Sequence, residues 1–185
     1  RQQADGGWGY LASNDQNANL GITAWNLQVM VAARAHGYET ASVLEAGRRW
    51  IAQKVTHDGV FSYQATRAET SMSPTLAAMG ALCFIGDPAA RELSGAHMAR
   101  NLEKAAHERG SEVDYYRWYF LASALRQAGT SGAPGLLSSM RAELAGTQSR
   151  HGTTAGAWEK PDRWSQSGGT IYATAMASMA MRRCR

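Results

Sequence analysis

The residues best suited to chemistry form an aromatic and polar set: Trp25, Glu69, Asp114, Tyr115, Arg117, Trp118 and Tyr172. They fall near the starts of predicted helices. A helix start presents unpaired backbone N–H groups, so such a rim suits an anionic or polyhydroxyl ligand. A structural role competes at each position. Aromatics at helical spacing more often fill a core, and Asp114 fits an N-cap or first-turn acid. Arg117 is the hardest to assign to packing. Among Tyr116, Trp118, Tyr119 and Phe120, a cation needs a carboxylate, an aromatic face or a ligand.

Other chemistry is sparse. A strong acid that protonates a substrate needs neighbouring carboxylates, and Asp5, Asp15, Asp58, Asp87, Asp114 and Asp162 are scattered. His36, His57, His97, His107 and His151 show no i, i+4 pairing, and His36 and His57 read as solvated or capping groups at helix ends. No catalytic residue, metal site or cofactor is assigned. Cys83 reads as a small core residue and Cys184 as part of a terminal tail. Two cysteines make no disulfide framework, so the compartment stays open. The net charge of +4 is spread along the chain, with one run at Arg182-Arg183-Cys184-Arg185. That run reads as a frayed, solvated end rather than a nucleic-acid or lipid patch.

The elements that must position these residues are helical. Few β-branched residues and only four prolines favour long helices, and no apolar run is long enough to cross a bilayer. Seven helices are predicted. The first follows Gly21, with Ile22, Trp25, Val29 and Ala32 or Ala33 on one face, and stops at Gly37. The second opens at Thr40 as N-cap; its stripe is Val43, Ala46, Gly47, Trp50 and Ile51, opposite Glu45, Arg48, Arg49 and Lys54. The third runs from about Ser71 to Ile85. The fourth starts at Asp87-Pro88, the fifth spans about Glu112 to Ala128, and the sixth starts near Gly132 with the stripe Leu136, Leu137, Met140 and Leu144. The seventh follows Gly169. Odd-numbered helices are apolar nearly all round and even-numbered ones carry a charged face, as an inner and an outer layer require.

The pattern repeats at about 50 residues, the mark of a helical-hairpin array. Turn aromatics stand at Trp8, Phe61 and Trp158, each preceded by a glutamine: Gln3, Gln53 and Gln148. A glutamine amide at the end of an outer helix can satisfy orphan carbonyls there, and the aromatic can pin the turn. Trp164 is read as a second turn-pinning residue that could be exposed.

On these residues the chain resembles the QW-repeat superfamily of squalene–hopene cyclases and prenyltransferase β subunits. It is most similar to a bacterial branch of prenyltransferase/squalene-oxidase repeat proteins of unassigned function. The resemblance rests on Asp5-Gly6-Gly7-Trp8-Gly9-Tyr10 with Gly21-Ile22-Thr23-Ala24-Trp25, on Asp114-Tyr115-Tyr116-Arg117-Trp118-Tyr119, and on Gly168-Gly169-Thr170-Ile171-Tyr172-Ala173-Thr174-Ala175. It implies an all-α fold, an α/α toroid of about three and a half αα-hairpins forming a partial ring. Residues 1–185 are expected to be one such domain, a fragment or the C-terminal part of a longer protein.

The superfamily's catalytic groups are missing: there is no Asp-x-Asp-Asp acid, no Asp/Asp-x-Cys/His zinc set and no Cys-Gly-Glu-Gln thioester motif. The expectation is therefore a non-catalytic module for partner binding or assembly, through a protein partner or self-association of its end helices. Two alternatives stand beside it. One is a terpenoid- or prenyl-substrate enzyme whose acid or metal lies outside this chain. The other is a carbohydrate-binding or carbohydrate-active toroid using the aromatic rim. A hydrophobic or carbohydrate ligand is compatible with either, and a nucleic acid is not expected.

Overall fold

A computed structural model of the chain describes residues 1–10, 18–54, 61–63, 103, 107, 113–128, 131–159 and 164–185. Among them the protein is all-α. The helices are α1 (Leu20–Ala35), α2 (Ala41–Ala52), α3 (Tyr115–Ala128), α4 (Ala133–Thr147) and α5 (Ser165–Arg183), with a 3-10 turn at Gly152–Thr154. The third and fourth predicted helices lie outside the described residues. None of the described helices is long and apolar enough to cross a membrane. The chain divides into two compact units, Arg1–Ala99 and Arg100–Arg185.

In the first unit, α1 starts where Asn19 Oδ1 accepts from the Ile22 N–H at 2.9 Å. Its far end is closed as predicted. Gly37 takes φ +85°, its N–H donates to the Arg34 carbonyl, and the Tyr38 N–H donates to the Ala33 carbonyl. This double closure satisfies the last orphan carbonyls and demands a residue that accepts positive φ. The buried face of α1 is Leu20, Gly21, Thr23, Ala24 and Leu27, rotated from the predicted stripe. Ile22 and Trp25 are half-buried and Val29 is exposed.

Thr40 sits at the N-cap of α2, but its side chain makes no cap bond. Its hydroxyl donates to the Met30 carbonyl at 3.2 Å, and Glu39 Oε1 accepts from the Ala41 N–H instead. Thr40 therefore ties the loop back to α1, and a carboxylate takes over the helix start, where the macrodipole favours it. The buried face of α2 is Leu44, Gly47, Trp50 and Ile51; Val43 and Ala46 of the predicted stripe are only half-buried, and Leu44 takes their place. Its outer face carries the exposed Arg49–Glu45 pair, 3.1 Å apart. Lys54 lays its ammonium over the Trp50 ring, 4.8 Å from the centroid.

In the second unit, α3 is the most deeply buried helix. Every residue from Trp118 to Leu125 is buried, as expected of a helix that is apolar nearly all round. Tyr116 and Tyr119 meet Phe120 edge-on at 5.2 and 5.1 Å. α3 packs mainly on α5, and α4 touches both. α5 turns Ala173, Met176, Ala177 and Ala180 inward, and these mostly small residues let the bulky α3 come close. α4 begins with proline in its first turn and buries Ala133, Leu137, Met140 and Leu144, while Leu136 is half-buried.

The seventh predicted helix starts earlier than expected. Ser165–Gly168 forms a turn of its own, and Gly169, at φ +63° and ψ −165°, breaks the axis before the long segment resumes. Gly168 is needed for a different reason. A Cβ there would stand 2.5 Å from the Cβ of Tyr172. The expected frayed end is also corrected. α5 continues through Arg183, the Cys184 N–H bonds the Ala180 and Met181 carbonyls, and Cys184 is buried.

Candidate functional site

The turn that leads into α1 and the turn that leads into α5 are two copies of one hydrogen-bonded device. In the first, Gly6 has φ +96° and its carbonyl accepts from Gln2 Nε2 at 2.9 Å. In the second, Gly156 has φ +89° and its carbonyl accepts from Gln148 Nε2 at 2.7 Å. Backbone pairs close both. Gln3 N–H donates to Gly7 and Gly6 N–H to Gln3; Ser149 N–H donates to Ala157 and Gly156 N–H to Ser149. Two residues past each positive-φ glycine a tryptophan enters the core, Trp8 or Trp158. Its backbone N–H donates to a threonine hydroxyl on the following helix, Trp8 to Thr23 at 3.0 Å and Trp158 to Thr174 at 3.1 Å.

These equivalences correct the repeat by one residue. Gln2, not Gln3, places its amide on the turn carbonyl, and it also donates to the Val43 carbonyl near the start of α2 at 3.0 Å; neither acceptor is the helix-end orphan carbonyl expected for Gln3. The physical reason is that Gln3 supplies the backbone pair that closes the turn, the place Ser149 holds in the second copy. Gln3 Nε2 is buried with no hydrogen-bond partner. Gln148 stands at the C-cap of α4, but its amide goes to the Gly156 carbonyl of the turn; the orphan carbonyl it was expected to satisfy, that of Leu144, is taken by the Trp158 indole. Gln53 caps α2 with its side chain exposed, Phe61 is buried, and the Ser62 N–H closes onto the Lys54 carbonyl.

Each tryptophan is held further. Trp158 Nε1 donates to the Leu144 carbonyl of α4 at 2.8 Å, in a buried setting. Trp8 lies beside Gly47 of α2, where an added Cβ would stand 2.9 Å from its ring. Asp5 braces the first turn by accepting from the Gly7 N–H and from Trp50 Nε1. Thr23 and Thr174 were not singled out by sequence reasoning. The signal that marks them is the pair of triplets Ile22-Thr23-Ala24 and Ala173-Thr174-Ala175.

The rim set is largely used up by packing. Asp114 is buried and its Oδ1 accepts from the Arg117 N–H at 3.0 Å, the N-cap geometry that Asn19 gives α1. Tyr115 and Trp118 are fully buried, which leaves neither ring a face for a ligand. Arg117, Tyr172 and Trp25 are half-buried. Trp25 belongs to the first unit and the other two to the second. Glu69 lies outside the described residues, as do Cys83, His57 and His97. Trp164 is 43% exposed and leans on Tyr116, with ring centroids 5.8 Å apart.

No group of three or more His, Cys, Asp or Glu side chains placed to hold a metal occurs among the described residues. His36, His107 and His151 are exposed. Burial pushes the Cys184 thiol up to about 11, against a smaller opposing pull from the Arg141 guanidinium. A thiol so held is neutral near pH 7 and a poor nucleophile. No protein-family model, no curated protein and no solved structure matches this chain.

Proposed function

We propose that this chain is a non-catalytic α/α-toroid module, of the QW-repeat type its turns resemble, that self-assembles through its first helix. The observation that carries this reading is the apolar surface at the far end of α1. Val29 is 57% exposed, Val31 50% and the adjoining Tyr38 70%, with Ala32 and Ala35 exposed between them. Covering the exposed half of each valine would gain roughly 1 kcal/mol. A cluster of such residues on an end helix is the usual mark of a protein–protein surface.

Two further observations favour the reading over its rivals. The tryptophans, threonines and glutamines of the repeat are committed to closing turns, so they are not available as reacting groups. Tyr115 and Trp118 face the core rather than a groove where a sugar could stack.

Light scattering of the full chain at micromolar concentration tests the proposal. The wild type is expected to be a dimer or larger, and Val29→Lys with Val31→Lys to be a folded monomer. A wild-type monomer with sharp near-UV circular dichroism would overturn self-assembly.

A further inference from the structure

Within the second unit, α3 and α5 border a cavity of about 420 Å³ lined by Tyr119, Arg126, Met179, Arg182 and Arg183. Arg126 lies in the last turn of α3, and Arg182 and Arg183 in the last turn of α5. Cations there complement the negative ends of the helix macrodipoles, and one at each end would do that. The macrodipoles do not account for three guanidinium groups at one concavity whose lining includes a buried tyrosine and a partly buried methionine. Among the described residues the lining holds no carboxylate side chain.

We propose that this cavity binds a small phosphorylated molecule with an apolar or aromatic body. A phosphate monoester carries close to two negative charges and three acceptor oxygens, which the planar guanidinium fork matches two at a time. A single carboxylate would leave most of the positive charge unopposed. Arg126 spends one donor on the main-chain oxygen of Arg185, the last residue of the chain, at 2.6 Å, and retains the rest of its fork. The Arg183 guanidinium lies 5.8 Å from the centre of the Tyr119 ring, close enough to be steadied by its face. The cavity falls in the size range of small-molecule sites, roughly 300–1,000 Å³, larger than a phosphate group alone needs. Met179, half-buried, supplies most of the apolar wall, and the buried Tyr119 only an edge of it. This inference uses residues of the second unit only and does not depend on assembly through α1.

Calorimetric titration of the full chain with phenyl phosphate and with inorganic phosphate, at fixed ionic strength, tests it. Phenyl phosphate is expected to bind saturably and more tightly than inorganic phosphate. Arg182→Gln, an exposed position whose loss leaves the fold intact, is expected to weaken it about tenfold. Arg126→Gln, with near-UV circular dichroism as the fold check, is expected to do the same. Arg49→Gln, in the first unit, is expected to change nothing.

Absence of saturable binding, equal binding of the two phosphates, or an equal loss in Arg49→Gln would each overturn the proposal. A membrane source for the phosphate is separated by vesicles of phosphatidylcholine with phosphatidylglycerol. Vesicles that capture the chain and displace phenyl phosphate, with the effect lost in Arg182→Gln, would assign the arginines to a lipid headgroup and overturn the small-molecule form.

Discussion

The backbone N–H of Trp158 donates to the side-chain hydroxyl of Thr174, 3.1 Å away and 16 residues along the chain. Trp8 and Thr23 repeat the arrangement at 3.0 Å and a separation of 15. In both, the turn that carries the tryptophan is locked to the first turns of the next helix. The indole is thereby held in the core. Replacing Thr23 or Thr174 by valine keeps the volume and removes the acceptor. Thr23→Val should cost about 1–3 kcal/mol, since a buried N–H is left unsatisfied, and Thr174→Val less, since the bond there is part-buried. Serine should recover most of the loss. Chemical denaturation measures both, and a neutral valine at both sites would show that the locks contribute nothing.

The one-residue shift of the repeat is testable on neighbouring side chains. Gln2→Met removes donors to the Gly6 and Val43 carbonyls and should destabilise by about 1–3 kcal/mol. Gln3→Met removes a buried amide nitrogen that has no partner, and should be neutral or stabilising. The opposite ranking in a urea melt would restore Gln3 as the working glutamine.

Two helical glycines should respond with opposite sign. Gly135 of α4 has open space where a Cβ would go, so Gly135→Ala should stabilise by roughly 0.5–1 kcal/mol. At Gly47 of α2 the added carbon would lie 2.7 Å from Leu27 Cδ2 and 2.9 Å from the Trp8 ring. Overpacking there should cost about 1–3 kcal/mol despite the gain in helix propensity. A stabilising Gly47→Ala would mean that α2 does not sit this close to α1 and the Trp8 turn.

Cys184 should resist thiol reagents. In a Cys83→Ser chain the remaining thiol should react with a disulfide reagent at pH 8 far more slowly than a free cysteine, and promptly in denaturant. Its folded pKa, about 11, lies above its ordinary value of 9.0. The folded form therefore holds the proton more tightly. The associated stability is fully present below about pH 9 and is lost as the pH rises toward 11. Fast labelling of the folded chain would place Cys184 in a loose tail.

Trp158 offers a test of the indole as a helix cap. Trp158→Phe keeps an aromatic ring but deprives the Leu144 carbonyl of its 2.8 Å donor, at an expected cost of about 1–3 kcal/mol. Trp158→Ala should cost more, roughly 3–5 kcal/mol, because it also opens a cavity. If the two variants melt alike, the hydrogen bond is the main contribution of Trp158 and its packing is minor.

What the sequence determined by itself was local. The helical period, Pro134 in the first turn of α4, Gly37 closing α1 and Asp114 opening α3 were legible because each depends on a few neighbouring residues. The Gly-x-Trp turns were legible as a repeat for the same reason. Tertiary structure decided which long-range partner each group found. It made Thr40 a tie to Met30 rather than a cap. It gave the amide role to Gln2 over Gln3, and paired Trp8 and Trp158 with threonines beyond any local window. It also turned Tyr115 and Trp118 from a possible rim into core, and brought Arg126 beside Arg182 and Arg183, far along the chain. Periodicity reports how hydrophobic a face is. Which neighbour covers that face, and which distant carbonyl or hydroxyl completes a hydrogen bond, is settled only when the helices pack.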